Sequence, residues 1–368
     1  MKVLFLTLKT FSFTGGIEKA CRSLLYALQQ NEDIELTTYS MYDNNTHTDQ
    51  RYIAKSSFKG FGGKRVSFAL ALIKKAFSTD KLILSHINLL LFGKIVKRLK
   101  PSAKIILWAH GIEVWRAIPN WKKKFLQEKS EIWAVSNYTK HQLIERHQIP
   151  SANIKVLNNT IDPFYKVSED FSKPSNLLER YQIKPNDFVL FTLTRLSATE
   201  HAKNYDLVIN AVKALKDRLP QLIYVIGGKA DEQEQIRLTQ LIEKHKLTES
   251  VKIIGFIEER EIEAHYHLAD CFVLPSKKEG FGIVLIEAAA CGCQVIGGNV
   301  DGSTDALLNG ELGQIVAPDS EVEIIEAIQK AIHNTQHQPK LQQELTLQDF
   351  GFERYIDKVS CLIAKSVN

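Results

Sequence analysis

The sequence predicts an α/β protein of two domains, each built on a parallel sheet that helices cover on both faces. Two observations predict this fold class. Short runs of β-branched and apolar residues alternate with amphipathic helical patterns along nearly all 368 residues. That length also exceeds what one ordinary hydrophobic core accommodates, so it suits two domains.

The strand segments are mostly continuous apolar runs, as expected where both faces of a sheet are buried. The strands predicted in the first half are 2–8, 34–40, 81–85, 104–109, 131–135 and 154–157. Those predicted in the second half are 187–194, 221–227, 251–255, 271–274, 293–297 and 313–316. The helical patterns between them cover 16–30, 66–78, 89–99, 137–147, 204–218, 231–246, 259–268 and 282–291.

The periodicity pauses between Asn158 and Pro185, in a polar stretch that predicts a linker between the domains. We therefore assign 1–162 to an N-terminal domain and 163–349 to a C-terminal domain. A polar, proline-containing connection around 334–348 precedes the amphipathic segment 350–368, which we expect to return to the N-terminal domain.

Composition bounds the location of the protein. No apolar run approaches the ~20 residues that span a bilayer, and we interpret the opening run Lys2–Leu8 as a buried strand rather than a signal peptide. Five scattered cysteines are typical of reduced thiols in the cytoplasm. Cys291 and Cys293 lack a further ligand pair, so they are predicted to pack in the core and to hold no metal.

The charge is divided unequally along the chain. Residues 1–163 carry 25 Lys and Arg against 12 Asp and Glu, a balance of +13, whereas the remainder carries 22 against 30, a balance of −8. The basic residues gather at 94–100, Lys104 and 121–125, which indicates an anionic partner or, alternatively, solvated helix faces. No nucleic-acid-binding module accompanies them. Trp121 and Phe125 beside the lysines favour an anionic membrane surface or a phosphorylated acceptor, and hence a peripheral position at the inner face of the membrane.

Open parallel sheets bind ligands at the carboxyl ends of their strands, so the residues directly after strands are the candidates. Gly15 and Gly16 open a helix after the first strand, where backbone N–H groups can approach a phosphate or a sugar. A simple tight turn explains them equally well. His110 follows the strand Lys104–Ala109 and can hydrogen-bond a sugar, the alternative being a capping or core histidine.

Two cations follow the first strand of the second half. Arg195 and Lys203 can together neutralise a diphosphate, although a surface pair is an equal alternative.

A glycine-rich run, Pro275–Ala288, follows the buried strand Cys271–Leu274. Gly280 and Gly282 can present backbone N–H groups to an anion at the start of the next helix. The Glu279 carboxylate can accept hydrogen bonds from sugar hydroxyls. Glu287 lies on an apolar helix face, where it needs a partner: a ribose diol or a buried salt bridge.

This run resembles the Glu-x7-Glu element of the retaining glycosyltransferases of family 4, which have the GT-B architecture of two Rossmann-like domains facing across a cleft. Other segments resemble that family's motifs in the same order along essentially the whole chain: Gly15–Glu18, His110–Gly111, Ser136–Thr139, Arg195–Lys203, Gly227–Gly228, Gly255–Ile257 and Glu287–Gly292. Thr160 and Asn204 depart from the family pattern, because each stands where a glycine is common.

The resemblance implies a retaining, metal-independent transfer of a sugar from a UDP- or GDP-sugar to a saccharide or lipid-linked acceptor, in polysaccharide or glycoconjugate synthesis. It implies no cofactor, and the chain contains no Asp-x-Asp motif. Arg195 and Lys203 would bind the diphosphate, Glu279 the transferred sugar and Glu287 the ribose. His110 would act near the anomeric centre. The resemblance also implies that the domain 1–162 binds the acceptor and that the domain 163–349 binds the donor. The remaining donor-site residues would be Gly15, Gly16, Gly280, Phe281, Gly282, Ile283 and Val284.

Two other functions fit the same architecture. One is a different enzyme, such as a sugar-nucleotide epimerase or a phosphorylase; a phosphorylase would hold pyridoxal phosphate and usually has a much longer chain. The other is a non-catalytic nucleotide-sugar-binding protein. Retention of every expected charged group favours transfer. The sequence does not predict the base and sugar of the donor, the acceptor or the oligomeric state.

Overall fold

The structure is a computed structural model that describes residues 1–199 and 201–365. Glu200 in the predicted diphosphate-binding segment and residues 366–368 of the predicted C-terminal segment lie outside the described residues. The chain forms two compact units: Met1–Tyr165 with the segment that begins at Phe350, and Lys166–Asp349.

The first unit contains a seven-stranded sheet in which every neighbouring pair is parallel, in the order β3-β2-β1-β4-β5-β6-β7. Its strands are β1 (Lys2–Thr7), β2 (Glu35–Ser40), β3 (Phe58–Gly60), β4 (Lys81–Leu84), β5 (Lys104–Ala109), β6 (Glu131–Ala134) and β7 (Ile154–Val156). Its helices are α1 (Gly16–Gln29), α2 (Arg65–Ala76), α3 (Leu90–Leu99), α4 (Ile112–Trp115), α5 (Asn120–Lys129) and α6 (Asn137–His147).

The second unit contains a six-stranded parallel sheet in the order β10-β9-β8-β11-β12-β13. Its strands are β8 (Phe188–Leu193), β9 (Leu222–Gly227), β10 (Val251–Gly255), β11 (Cys271–Leu274), β12 (Gln294–Gly298) and β13 (Gln314–Val316). Its helices are α7 (Ser175–Tyr181), α8 (Tyr205–Leu215), α9 (Glu232–Lys244), α10 (Ile262–Leu268), α11 (Ile283–Ala290), α12 (Ser303–Ala306), α13 (Glu321–Ile332) and α14 (Pro339–Phe350). The last helix of the chain, α15 (Phe352–Lys365), belongs to the first unit.

The strand order of each sheet determines where a ligand can bind. The chain leaves β1 towards one edge of the first sheet and returns to β4 on its other side, and β8 and β11 have the same relation in the second sheet. At such a reversal, the loops after the two strands diverge and leave a crevice at their carboxyl ends. The predicted site residues follow β1 and β5 in the first unit, and β8 and β11 in the second.

The predicted α/β fold class is confirmed, and every predicted strand is present to within two residues. Two predictions of irregular structure were wrong. Helix α7 lies inside the predicted linker, and α14 occupies the predicted polar connection. The sequence did not predict helix α14 because part of its buried face is polar. Gln343 is buried, and its side-chain amide donates to the carbonyls of Ser168 and Ala290, at 2.9 and 3.0 Å.

Hydrogen bonds connect the start of the C-terminal segment to the residues that follow β7 in the first unit. The Phe350 carbonyl accepts hydrogen bonds from the Thr160 hydroxyl at 2.8 Å and the Ile161 N–H at 2.9 Å. Helix α15 then packs on α1, where the rings of Tyr26 and Phe352 lie 5.4 Å apart. Thr160 therefore replaces the family's glycine without strain, because its φ is not positive and its hydroxyl has a buried partner.

Cys291 and Cys293 are buried, as the sequence predicts. Cys21 and Cys271 are also buried, and Cys361 is exposed. The Cys293 thiol donates to the Tyr266 carbonyl at 2.9 Å.

The backbone of Gly228 lies very close to the end of β8. Its φ is +139°, and a Cβ there would lie 1.7 Å from the Thr194 carbonyl oxygen. Gly255 also has a positive φ, +74°, but a Cβ there would meet nothing within 4 Å.

We expect Gly255→Ala to lower the free energy of unfolding by about 1–2 kcal/mol, the cost of the left-handed backbone alone. Gly228→Ala should cost more than about 3 kcal/mol, because the end of β8 must also move. Denaturant unfolding of both variants measures the difference, and equal losses would contradict it.

Candidate active site

The loops after β8 and β11 are joined by hydrogen bonds at the carboxyl edge of the second unit, the edge formed by the loops after β8, β11 and β12. The Ala202 carbonyl accepts the Lys277 N–H at 2.8 Å and the Ser276 hydroxyl at 3.2 Å. Beside this junction, the Lys203 ammonium forms an ion pair with the Glu279 carboxylate, and both side chains are 17% exposed. Two of the predicted site residues, distant in sequence, are therefore in direct contact.

Asn204 fixes the position of the chain directly after Lys203. It has a φ of 56° in the left-handed region, which explains why glycine is common here in the family and why asparagine is tolerated. Its side-chain amide donates to the carbonyls of Pro275 and Pro318, at 2.9 and 2.8 Å. The substitution thus keeps the backbone geometry and adds two buried hydrogen bonds.

Asp301 holds the backbone of Glu279 and was missed by the sequence analysis. Its Oδ2 accepts the Glu279 N–H at 2.6 Å, and its Oδ1 accepts the Ser303 N–H at 2.9 Å. The Gly302 N–H returns a hydrogen bond to the Glu279 carbonyl at 2.8 Å. Asp301 is fully buried, and burial, followed by the nearby Glu279 carboxylate, raises its pKa to about 7. Its position shortly after β12, at the carboxyl edge, was the signal that could have identified it.

The glycine-rich loop leads directly into α11. Gly282 precedes the helix with a φ of 92°, and Phe281 is buried. Ile283 and Val284 form the first turn and are partly exposed. The N–H groups of a first helical turn have no partner within the helix and lie at the positive end of its dipole, so this turn can bind an anionic group.

Glu287 lies inside α11 and is fully buried. Its Oε2 accepts the Tyr266 hydroxyl at 3.1 Å, a partner that the sequence analysis did not predict. Burial and the Glu287 carboxylate raise the pKa of Tyr266, so the tyrosine remains a hydrogen-bond donor. The structure thus gives Glu287 a protein partner, and its contact with a ribose stays a prediction.

Arg195 is exposed, but its backbone is fixed on both sides. The Thr194 N–H donates to the Gly227 carbonyl at 3.0 Å, and the Leu196 N–H donates to the Lys229 carbonyl at 3.1 Å. The residue therefore leaves the sheet at a defined position at the same carboxyl edge as Lys203 and Glu279.

In the first unit, a buried carboxylate holds the loop that follows β1. Asp43 is fully buried and accepts the N–H groups of Thr10 and Ser12, at 2.7 and 2.8 Å, and the Ser40 hydroxyl at 2.6 Å. This aspartate, placed just after β2, was also missed by the sequence analysis.

The loop held by Asp43 leads to Gly15 and Gly16, where α1 begins. A Cβ on Gly16 would meet nothing within 4 Å, so the packing of the protein does not require glycine there. The atoms nearest to a Cβ on Gly15 would belong to side chains rather than to the backbone: Glu18 Oε2 at 2.6 Å, then the Phe13 ring at 3.2 Å. The start of α1 is thus open to the close approach of another group.

His110 presents one ring nitrogen without a protein partner. It is 8% exposed, and within residues 1–199 and 201–365 its buried Nε2 has no hydrogen-bond partner. Burial, followed by the nearby His86, lowers its pKa to about 3, against the opposing effect of a hydrogen bond to the Ser85 backbone. His110 is therefore a neutral imidazole at pH 7. Because its other ring nitrogen donates to Ser85, Nε2 is an acceptor that suits a hydroxyl group.

Asp301 predicts a change of stability with pH. The folded carboxyl, with a pKa of about 7, keeps a proton that the unfolded one loses above 3.8. The contribution of Asp301 to stability is therefore largest below pH 3.8 and falls as the pH rises to about 7. Asp301→Asn removes this titration. The melting temperature of the variant minus that of the wild type should therefore increase as the pH rises from 3.8 to about 7. This holds whether the variant is more or less stable than the wild type in acid. A constant difference, measured by calorimetry across the range, would contradict the assignment.

Comparison with protein families accounts for both units. Residues 14–164 match the family model described as Glycosyltransferase Family 4, and residues 176–346 match the model described as Glycosyl transferases group 1.

Curated relatives resemble parts of the chain. The GDP-mannose-dependent alpha-(1-6)-phosphatidylinositol monomannoside mannosyltransferase of Mycolicibacterium smegmatis is 27% identical over 239 residues, which are 62% of this chain and 60% of that protein. The serotype-specific mannosyltransferase WbdA of Escherichia coli is 27% identical over 206 residues, which are 52% of this chain and 25% of that protein. The match thus spans a quarter of WbdA and three fifths of the mycobacterial enzyme.

Among solved structures, HepE of Anabaena in complex with UDP matches with a TM-score of 0.82 at 21% identity, over 99% of this chain and 100% of HepE. This likeness confirms the GT-B fold. Since the two family models together cover most of both units, the chain belongs to the family 4 glycosyltransferases, also described as glycosyl transferases group 1.

Proposed function

We propose that this glycosyltransferase transfers a hexose from a UDP- or GDP-sugar to a saccharide or lipid-linked acceptor, with retention of configuration and without a metal ion. The observation that carries the proposal is the contact between Lys203 and Glu279 at the carboxyl edge of the second unit. In the proposed reaction Lys203 would bind the diphosphate, and Glu279 beside it would bind the sugar attached to that diphosphate.

Lys203 can serve both groups at once. An ammonium group has three N–H donors, so it can keep Glu279 and still bind phosphate oxygens. Arg195, which is exposed at the same edge, provides a second cation. The first turn of α11, with Gly280, Phe281 and Gly282 before it, offers backbone N–H groups to the same diphosphate. These groups would neutralise the negative charge that grows on the leaving nucleoside diphosphate.

The same residues suit a reaction that retains the anomeric configuration without a protein nucleophile. In a same-face substitution, the departing phosphate takes the proton of the acceptor hydroxyl, and the protein acts by positioning and by neutralising charge. Glu279, held by Lys203 and by the Asp301 hydrogen bond to its backbone, suits a sugar-orienting role. The neutral His110 can accept a hydroxyl hydrogen bond near the anomeric carbon, and Glu287 is assigned to the ribose.

The similar proteins support a nucleotide-sugar donor. HepE has been solved with UDP, and the name of the mycobacterial relative specifies GDP-mannose. The names of the mycobacterial relative and of WbdA also refer to a phosphatidylinositol monomannoside and to a serotype, and on that basis we assign this chain to polysaccharide or glycoconjugate synthesis. The cytoplasm is the location that we propose from the five scattered cysteines. Within residues 1–199 and 201–365, none of the helices combines the length and the apolar content that a bilayer-spanning helix needs.

Loss of either cation should reduce transfer strongly. We expect Arg195→Ala and Lys203→Ala each to lower kcat/KM by about 10²–10³-fold, the effect of removing one charge-stabilising group from a transition state. Arg260→Ala and Lys340→Ala are matched controls, because both residues form exposed ion pairs, with Glu258 and Glu169. Release of nucleoside diphosphate in the presence of acceptor measures the rate. Turnover near that of the controls in both site variants would refute the diphosphate assignment.

Transfer should also persist in excess EDTA, because the cationic side chains replace a divalent ion at the diphosphate. Initial rates with EDTA, with Mg²⁺ and with neither measure this. Abolition by EDTA and recovery with Mg²⁺ would contradict the metal-independent mechanism.

A further inference from the structure

Three helices form a layer on one face of the first unit's sheet. Phe68 of α2, Val96 of α3 and Leu126 of α5 belong to one hydrophobic core with strands β1 and β4. Helices α2 and α3 are neighbours, since the rings of Phe68 and Phe92 lie 5.0 Å apart. Helices α3 and α5 also meet, since the Lys94 ammonium lies 5.5 Å from the centre of the Trp121 ring. We call α2, α3 and α5 the basic helix layer.

Helix α2 exposes apolar side chains where a surface helix ordinarily carries polar ones. Val66, Leu70 and Ile73 of α2, and Phe77 directly after it, are 74%, 63%, 38% and 62% exposed. Their spacing of four, three and four residues places them on one side of the helix, and we call them the α2 stripe. The opposite side of α2 faces the core. Contiguous apolar surface of this kind indicates an interaction site.

The basic helix layer carries mostly positive charges, although two acidic side chains border it: Glu35 lies 3.7 Å from Lys75 of α2, and Asp80 lies 2.9 Å from Lys100, which follows α3. Helix α2 carries Arg65, Lys74 and Lys75, and neither α2 nor α3 contains an acidic residue. The other basic residues of the layer are Lys97, Arg98, Lys94, Lys122, Lys123, Lys124 and Lys129. The single acidic residue, Glu128 of α5, lies 3.9 Å from Lys124.

From this combination we infer that the basic helix layer docks on an anionic lipid bilayer. Helix α2 would lie in the plane of the interface, with the α2 stripe among the acyl chains and the Lys and Arg side chains at the level of the headgroups. A bilayer that contains anionic lipids offers an apolar interior and a negatively charged surface to the same helix face.

Other partners fit less well. A second copy of the chain would bring two surfaces of the same charge together, which is unfavourable. A nucleic acid would satisfy the cations but not the aliphatic stripe, and the exposed Trp121 ring is already contacted by Lys94 and Lys122.

This location differs from the one expected from the sequence. Phe125, predicted to flank the lysines at the membrane, is 8% exposed and packs in the core. Trp121 is 38% exposed, so only one of the two aromatic residues is available. The apolar contact comes instead from α2, whose exposed face the sequence did not reveal.

Flotation of the full chain with vesicles of phosphatidylcholine, with and without phosphatidylglycerol, tests the inference. We expect binding only to the anionic vesicles and a loss with added salt. Leu70→Gln together with Phe77→Gln should weaken binding at least tenfold. Lys74→Gln should weaken it about fivefold, the effect of one interfacial charge. Val322→Gln, at a 64% exposed valine of α13, is the matched control and should bind like the wild type.

Several outcomes would overturn the proposal: equal binding to neutral vesicles, no binding to either kind, or unchanged binding by the Leu70/Phe77 variant. Retention on duplex DNA in place of vesicles, or a dimer by light scattering that Leu70→Gln dissociates, would assign the surface to another partner. The substituted side chains are exposed, so melting temperatures close to the wild type should show that the variants fold. The assay measures binding alone, so its failure would leave the proposed transfer reaction intact.

Discussion

The candidate site depends on one contact, the ion pair between Lys203 and Glu279. Neither residue belongs to a regular strand or α-helix, so the pair depends on the hydrogen bonds to the Ala202 carbonyl that tie the loops after β8 and β11 to each other. The parallel sheet brings those loops together, since β8 and β11 are neighbours whose connections run in opposite directions. The fold supplies the proximity, and the loop hydrogen bonds supply the geometry.

Both units use the same device to hold a loop at the carboxyl ends of the strands. Asp43 in the first unit and Asp301 in the second are fully buried, lie shortly after a strand and accept backbone N–H groups from the segment that carries the candidate residues. A buried carboxylate is costly unless such donors surround it. The arrangement therefore strongly favours one loop conformation, which a site that acts by positioning and charge neutralisation needs.

The fold could be predicted because strands buried on both faces leave a plain apolar pattern, and the charged residues after those strands could be predicted from the carboxyl-end rule. Three features could not. The buried face of α14 includes a polar residue, Gln343. The role of Asp301 depends on an N–H group 22 residues earlier in the chain. Helix α2 carries apolar residues on opposite sides, so the pattern does not tell which side is exposed. Each requires knowledge of what lies across the helix or loop in space.

The central claim is that the carboxyl edge of the second unit binds the diphosphate of a nucleotide-sugar through Arg195 and Lys203. A thermal-shift screen against UDP-, GDP-, ADP- and CDP-sugars, with free nucleotides as controls, tests it most directly, because a ligand that binds the native state raises the melting temperature. The account predicts a selective rise with a UDP- or GDP-sugar that shrinks in both alanine variants. The account would be contradicted if none of the donors raised the melting temperature, or if the rise were the same in Arg195→Ala and Lys203→Ala as in the wild type.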